Sequence, residues 1–280
     1  MSKPICFYDI PGTSKAVAWS PNTWKTRFCL NAKGLPYKTI WVEFPDIEAV
    51  CTQIGAAPTG KQPDGSPMYT LPVLHDPNTG ATVSESLAIA RYLERTYPGP
   101  VALIPPALDG LVGDFQKAVW AAFGLPMMRL VVPAVHATLR PGARPYFRAT
   151  REARFGQPLE ELAPAGSALR AECWAKTREA AGVLAGWWDE EANTKGLVPR
   201  AAEEAGAGER TLLVSDALPV SYADAIMVSW LYWFRECLGE ESGEWKTMTA
   251  WHGGRWVRLM AAMEKYAQVD SGESVQLSKL

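Results

Sequence analysis

The stretch Tyr69–Arg95, YTLPVLHDPNTGATVSESLAIARYLER, reads as strand, turn, strand and helix. Thr70-Leu71-Pro72-Val73-Leu74 is a short apolar strand entered through a proline. Asp76-Pro77-Asn78-Thr79-Gly80 is a turn signal between two apolar runs, so Ala81-Thr82-Val83 is the return strand of an antiparallel hairpin. Ser84-Glu85-Ser86 then opens a helix whose apolar residues are Leu87, Ile89, Ala90 and Leu93.

This stretch also carries chemistry. Pro72 has no N–H and leaves the backbone beside it free to pair outside a ladder. If the Leu71–Pro72 bond is cis, as so sharp an entry allows, Val73 presents its N–H and C=O to an extended peptide. The helix end at Ser84-Glu85-Ser86 attracts a carboxylate through its free N–H groups and dipole, and Glu85 beside it takes an ammonium. The set suits a small zwitterion with a peptide-like middle. Taken singly, Ser84 reads as an N-cap, Pro72 as an edge-strand residue and Glu85 as a solvated charge. Their order and spacing together favour a site.

The arrangement resembles the glutathione transferase family, in which a cis-proline precedes a strand and a Glu/Gln-Ser pair holds the γ-glutamyl group. That resemblance implies glutathione as co-substrate, contacted by Pro72, Val73, Glu85 and Ser86.

Outward from this stretch, the N-terminal side supplies a first strand at Cys6-Phe7-Tyr8 and a loop over Pro11–Lys15. A helix begins at Ser20-Pro21-Asn22-Thr23, with Ser as cap and Pro in the first turn, and ends at Gly34. An alternating strand is next over Tyr37–Phe44, then a short helix to about Ile54 and a Gly/Pro-rich loop over Gly55–Pro67. The order β-α-β-α-β-β-α is that of a thioredoxin-like domain, predicted over residues 1–98.

Residues 99–109 form a proline-bearing linker, and no strand pattern of any length returns after it. Residues 110–280 are predicted all-helical. An amphipathic helix covers Gly113–Phe123, and Pro126 and Pro133 kink or divide the apolar run behind it. A long helix runs from Leu169 to Ala192 and ends near Gly196; Ala201–Arg210 is a polar loop or frayed helix. Apolar helices cover Ser221–Leu238 and Gly254–Tyr266, and Val269–Leu280 reads as a loose polar tail. The fold class is therefore α+β, a thioredoxin-like domain followed by a helical one. Ser221-Tyr222-Ala223-Asp224 is a capping box with Asp in place of Glu, at the head of a helix apolar nearly all round. Such a cap on the buried helix of the second domain also resembles the glutathione transferases.

Composition narrows the function classes. A net charge of −2 argues against nucleic acid or an anionic membrane as the main partner. No apolar run is read as reaching the roughly 18–20 residues that span a bilayer, and MSKPICFYDI enters a strand without an apolar leader. The five cysteines form no C-x-x-C pair, so a disulfide framework and a zinc site are both disfavoured and the expected compartment is cytoplasmic. Three scattered histidines suggest no metal centre.

A thioredoxin-type domain keeps its reactive group at the start of its first helix. A dithiol is missing there, and Cys29 lies more than two turns inside. Ser20 is the first candidate to donate a hydrogen bond to a substrate thiolate, aided by the helix end; Asn22 and Thr23 are the second. A plain capping role is the competing account of Ser20. SPNTWKTR (residues 20–27) and the Gly/Pro loop resemble the etherase-like branch, which includes the fungal class FuA and the bacterial lignin β-etherases. Through that resemblance the chain is expected to act on, or bind, wood-derived or xenobiotic phenolics.

Lys38, Trp41, Gln53 and Lys61 are candidates for the glycyl carboxylate. Trp19, Trp24, Trp120, Phe123, Tyr232 and Phe234 are candidates for a hydrophobic ligand wall; an aromatic stripe is also what a core supplies. Nine of the twelve tryptophans lie beyond residue 110. Three functions compete: a glutathione transferase, a ligandin-type binding protein without turnover, and a superfold member with no small-molecule task. Intact Pro72 and Glu85-Ser86 weigh against the third. A homodimer is expected from the family resemblance.

Overall fold

The computed structural model describes residues 2–13, 17–194, 211–214 and 220–275, with the side chains of 188–194 left aside. The predicted polar segment Ala201–Arg210, the helix end near Gly196 and the last five residues lie outside the described residues.

Strand β1 (Ile5–Asp9) leads through α1 (Pro21–Ala32) to β2 (Tyr37–Trp41), which pairs parallel to β1. Helix α2 (Ile47–Gln53) comes next. The segment predicted as loop contains a small hairpin, β3 (Gly60–Lys61) with β4 (Pro67–Met68), turning at Gly65 with φ of 87°. Then come β5 (Val73–Asp76), β6 (Ala81–Ser84) and α3 (Ser86–Thr96), with β5 antiparallel to both β1 and β6. The turn between β5 and β6 is organised by Asp76. Its buried carboxylate accepts from Asn78 N and Nδ2 at 2.9 Å each and from the hydroxyls of Tyr92 and Tyr97.

The helical part begins with α4 (Asp109–Thr138), which runs without interruption through Pro126 and Pro133. Of the two outcomes expected, a kink or a division, the division does not occur. Each proline removes one helical hydrogen bond, but Leu111, Phe115, Val119, Phe123, Met127, Leu130 and Val131 bury one side of the rod, and that burial outweighs the local loss. Helix α4 also exceeds what the composition led us to expect: Pro106–Thr138 is long and apolar enough to cross a bilayer. It packs here against α6 (Ala168–Thr194) and α7 (Tyr222–Leu238), as a core helix does. Helix α5 (Arg144–Phe155) ends on Gly156 in the left-handed region, and α8 (Gly243–Thr249) and α9 (Arg255–Met263) complete the set.

The capping box is present at the head of α7. Ser221 Oγ caps the N–H of Asp224, and Asp224 accepts from Ser221 N at 2.8 Å and from Leu213 N at 2.8 Å.

The tail overturns an expectation. Residues 269–275 are not loose: they return to the first domain and add β7 (Glu273–Ser274) parallel to β2, so that the sheet runs β6-β5-β1-β2-β7. Asp270 explains why. It accepts from Thr39 N at 2.8 Å and pairs with Arg27 Nη1 at 3.1 Å, and Arg27 is itself buried against Asp9 at 2.8 Å. Gly272, at φ of 58°, lets the chain pass where a Cβ would run into Trp41 Nε1 and Thr39 O.

Candidate functional site

The registry of the sheet brings three chain ends together. Tyr8 near the end of β1 is opposite Val73 at the start of β5, and Val73 is opposite Ser84 at the end of β6. The segment leading to α1, the Leu71–Pro72 bend before β5 and the start of α3 after β6 therefore all lie at one end of the sheet.

Ser20 sits at the first of these. It is extended, at φ −70° and ψ 129°, and occupies the N-cap position of α1 at only 5% exposure. Its carbonyl accepts from Trp24 N at 3.0 Å and from Thr23 Oγ1 at 3.1 Å, but its hydroxyl makes no capping hydrogen bond. The plain capping account of Ser20 is thereby removed. No acidic residue stands in the first turn of α1, so the positive potential of this helix end is not neutralised locally. Of the second candidates, Thr23 is fully buried with its hydroxyl engaged inside the turn, whereas Asn22 is exposed.

The Leu71–Pro72 bond is cis. The surroundings of Val73 differ from the open edge expected. Val73 lies in an interior strand with neighbours on both sides, so its main chain is not open to an added strand. Leu71, just ahead of the strand, stands outside the ladder.

At the third position, Glu85 rather than Ser84 is the N-cap of α3. Glu85 adopts φ of 79°, a left-handed conformation rare for a residue with a side chain. That turn folds its carboxylate back over its own helix, where it accepts from Leu87 N at 3.1 Å, Ala88 N at 3.3 Å and Ser86 Oγ at 3.1 Å. Its main chain donates to Pro72 O at 3.4 Å, which ties the α3 end to the cis bend. Ser84 instead donates to Ala57 O at 2.8 Å and holds the neighbouring loop. Ser86 is buried, and Tyr222 at the head of α7 closes the space behind it, donating to Gln116 Oε1 at 3.1 Å.

The candidates for a glycyl carboxylate separate. Lys38 pairs with Glu273 at 2.5 Å and Trp41 Nε1 donates to Ser271 O at 3.0 Å, so both are engaged by the tail. Lys61 is exposed on β3.

The six aromatic candidates do not form one wall. Trp24 and Tyr232 pack with ring centres 4.7 Å apart and planes tilted by 56° between α1 and α7, and both are buried. Phe234 is buried against Trp174 at 5.2 Å, and Trp19 is buried against Phe44 at 6.1 Å. Phe123 is buried beside Trp230, which also meets Trp120, the one candidate that remains substantially open at 49% exposure. The aromatic excess thus builds core and the seam between α1 and α7. An open groove of about 420 Å³, lined by Arg235, Trp245, Val257, Met260 and Glu264 among others, includes none of the six. Among the described residues no cluster of His, Cys, Asp or Glu is placed to hold a metal.

Comparison with known proteins agrees with this geometry. Residues 19–96 match the family model of the glutathione S-transferase N-terminal domain, and residues 111–266 match that of the C-terminal domain. The glutathione S-transferase-like protein ustS of Aspergillus flavus is 30% identical over 94% of this chain and 95% of its own. Among solved structures, the glutathione S-transferase CsGST63524 of Ceriporiopsis subvermispora, in complex with glutathione, is 45% identical. It covers 96% of this chain and 100% of its own with a TM-score of 0.86. Glutathione transferase GSTFuA3 of Phanerochaete chrysosporium is 42% identical over 96% and 100% of the two chains, with a TM-score of 0.82. These relatives include a FuA member, in keeping with the etherase-like resemblance. With a cis-proline bend, a capped α3 end and an unengaged serine at one end of a thioredoxin-like sheet, and both family models matched, the chain belongs to the glutathione S-transferase family and is a glutathione transferase with glutathione as its co-substrate.

Proposed function

We propose that this enzyme activates glutathione as the thiolate through Ser20 and transfers it to apolar aromatic electrophiles of the phenolic or aryl-ether kind. The observation that carries this reading is the Ser20 hydroxyl, held at the N-terminus of α1 without a capping bond. A hydroxyl donating to sulfur, beside a helix end of positive potential, favours the charged form of the thiol. The peptide middle of glutathione is assigned to the main chain of Leu71 and its γ-glutamyl end to Ser86 and the α3 terminus, with Glu85 shaping that terminus. Asn22 is the second donor in reach of the same helix end, and Trp120 is the aromatic candidate left open to an electrophile. A homodimer belongs to the same reading; support for it is that Trp120 and Leu125 stand exposed on α4. The ligandin reading uses the same anchors and differs only in turnover.

The experiment is a pH profile of turnover for Ser20→Ala, read with the thiolate absorbance of the bound complex. One lost hydrogen bond to a charge is worth about 1.5–3 kcal/mol, so turnover at neutral pH falls roughly tenfold to a hundredfold, with recovery at high pH. Glutathione affinity stays nearly constant. The same shift arising in Asn22→Ala instead moves the role to Asn22, and no shift in either favours the ligandin reading.

A further inference from the structure

Lys25, Cys29 and Lys33 are spaced four residues apart and form one stripe of α1, which packs against α3. The two ends of this stripe differ. Lys33 is fully partnered: its Nζ pairs with Glu94 at 3.3 Å and donates to Tyr97 O at 2.9 Å and Val101 O at 3.2 Å. Lys25 lies two turns earlier, level with the first residues of α3. It is buried, at 5% exposure, and its ammonium has neither hydrogen bond nor ion pair among the described residues. A lysine side chain so largely buried, with no partner for its ammonium, is costly. An anion between Lys25 and the N–H groups at the head of α3 offsets that cost.

We propose that Lys25 is an anchoring residue for the γ-glutamyl α-carboxylate of glutathione, which it holds together with the N-terminus of α3. The assignment rests on the glutathione-site reading above. It favours the γ-glutamyl over the glycyl carboxylate because the negative charge of Glu85 stands at the same helix end. A carboxylate with an ammonium on the neighbouring atom matches that pair of charges; an isolated carboxylate does not.

The surroundings of Lys25 leave its charge to the ligand. Burial pulls its ammonium down to about 8, only partly opposed by Glu85 at the start of α3. Cys29 on its own helix is pushed up by burial and stays a thiol; Tyr222, reaching in from α7, is likewise held neutral by burial. Arg91 of α3 is turned to Asp109 at 2.6 Å, and Glu94 to Lys33.

The test is calorimetric titration with S-methylglutathione, which has no thiol to titrate, from pH 6.5 to 9.5, on the parent, Lys25→Met and Lys25→Arg. Lys25→Met is expected to weaken binding about tenfold to thirtyfold at pH 6.5, with the gap to the parent closing toward pH 9.5 as the parent's lysine loses its proton. Lys25→Arg stays charged throughout, so its affinity relative to the parent rises across the same interval; this arm decides the matter if Lys25→Met does not fold. A second ligand, the S-methyl 4-aminobutyryl-cysteinylglycine analogue, lacks the α-carboxylate and is expected to bind parent and Lys25→Met equally. Equal loss with both ligands would place Lys25 on the glycyl end and overturn the assignment. So would a Lys25→Met protein that binds S-methylglutathione as the parent does at every pH, or a flat ratio for Lys25→Arg. A parent that binds neither ligand would overturn the glutathione-site reading itself, and this assignment with it.

Discussion

Two side chains of the proposed site are marked by what they do not touch. Ser20 caps nothing, and Lys25 is buried beside a helix end without a partner. Both arrangements cost the free protein stability, and the second does so in a pH-dependent way. An unfolded lysine titrates near its ordinary value of 10.5, and the folded Lys25 near 8, so between these values the folded state holds fewer protons than the unfolded one. Stability of the free enzyme therefore gains from this group as pH rises from about 8 to 10.5, and the full penalty is present below about 8. Lys25→Met is expected to be more stable than the parent at pH 7, by on the order of 1–3 kcal/mol, with the difference narrowing above pH 9. A lower melting temperature for this variant at neutral pH would mean that the ammonium already has a stabilising role in the free protein. Neither burial nor the missing partner of Lys25 is visible in the sequence. WKTR reads as a helical turn with two cations two residues apart, and only the packing of α1 on α3 sets lysine apart from arginine: Arg27 turns to the sheet and Asp9, Lys25 to the helix.

Among the elements, α7 is the one whose beginning is most legible. The S-x-x-D spacing at Ser221–Asp224 gives its cap, its burial and its place in the second domain. What the spacing alone does not reveal is the third donor, Leu213 N, which arrives from outside the helix. Asp224→Ala then loses more than a helix cap. It leaves two buried N–H groups without an acceptor, and the expected cost is about 2–4 kcal/mol in denaturant unfolding, with glutathione affinity nearly unchanged. Normal stability with lost turnover would place Asp224 in the chemistry instead. The hairpin of β5 and β6 is equally legible, because a turn signal and a cis-proline are local. The residue freed by that proline is not: β5 reads as an edge, whereas the edge on that side belongs to β6. Strand order is a property of the whole sheet, and a single strand's sequence does not state its neighbours. Helix α4 shows the reverse case, a local rule overridden, since two internal prolines do not break a rod whose apolar side is buried along its length.

For the molecule as a whole, the alternation of strands and helices with helices alone after it is enough to give the architecture, while the destination of the aromatic residues is not legible. Trp24, Phe123, Tyr232 and Phe234 are core because helices far apart in sequence converge on them, which periodicity within one helix does not foretell. The same limit applies to assembly. The expected homodimer would give a light-scattering mass at micromolar concentration of twice 30.6 kDa, and a mass near 30.6 kDa itself would exclude it. The returning tail is illegible for another reason: Asp270 and Gly272 look like ordinary tail residues until Arg27 and Trp41 are seen waiting for them. That pairing has a temporal side. A chain made from its N-terminus exposes Arg27 long before Asp270, which comes 243 residues later. The first domain has its strands β1, β2, β5 and β6 early, yet its sheet is completed, and the buried guanidinium gains its second carboxylate, only after the helical domain has been synthesised. A stretch made after the helical domain thus finishes the domain begun before it, and a nascent chain stopped after α9 would carry an open β2 edge.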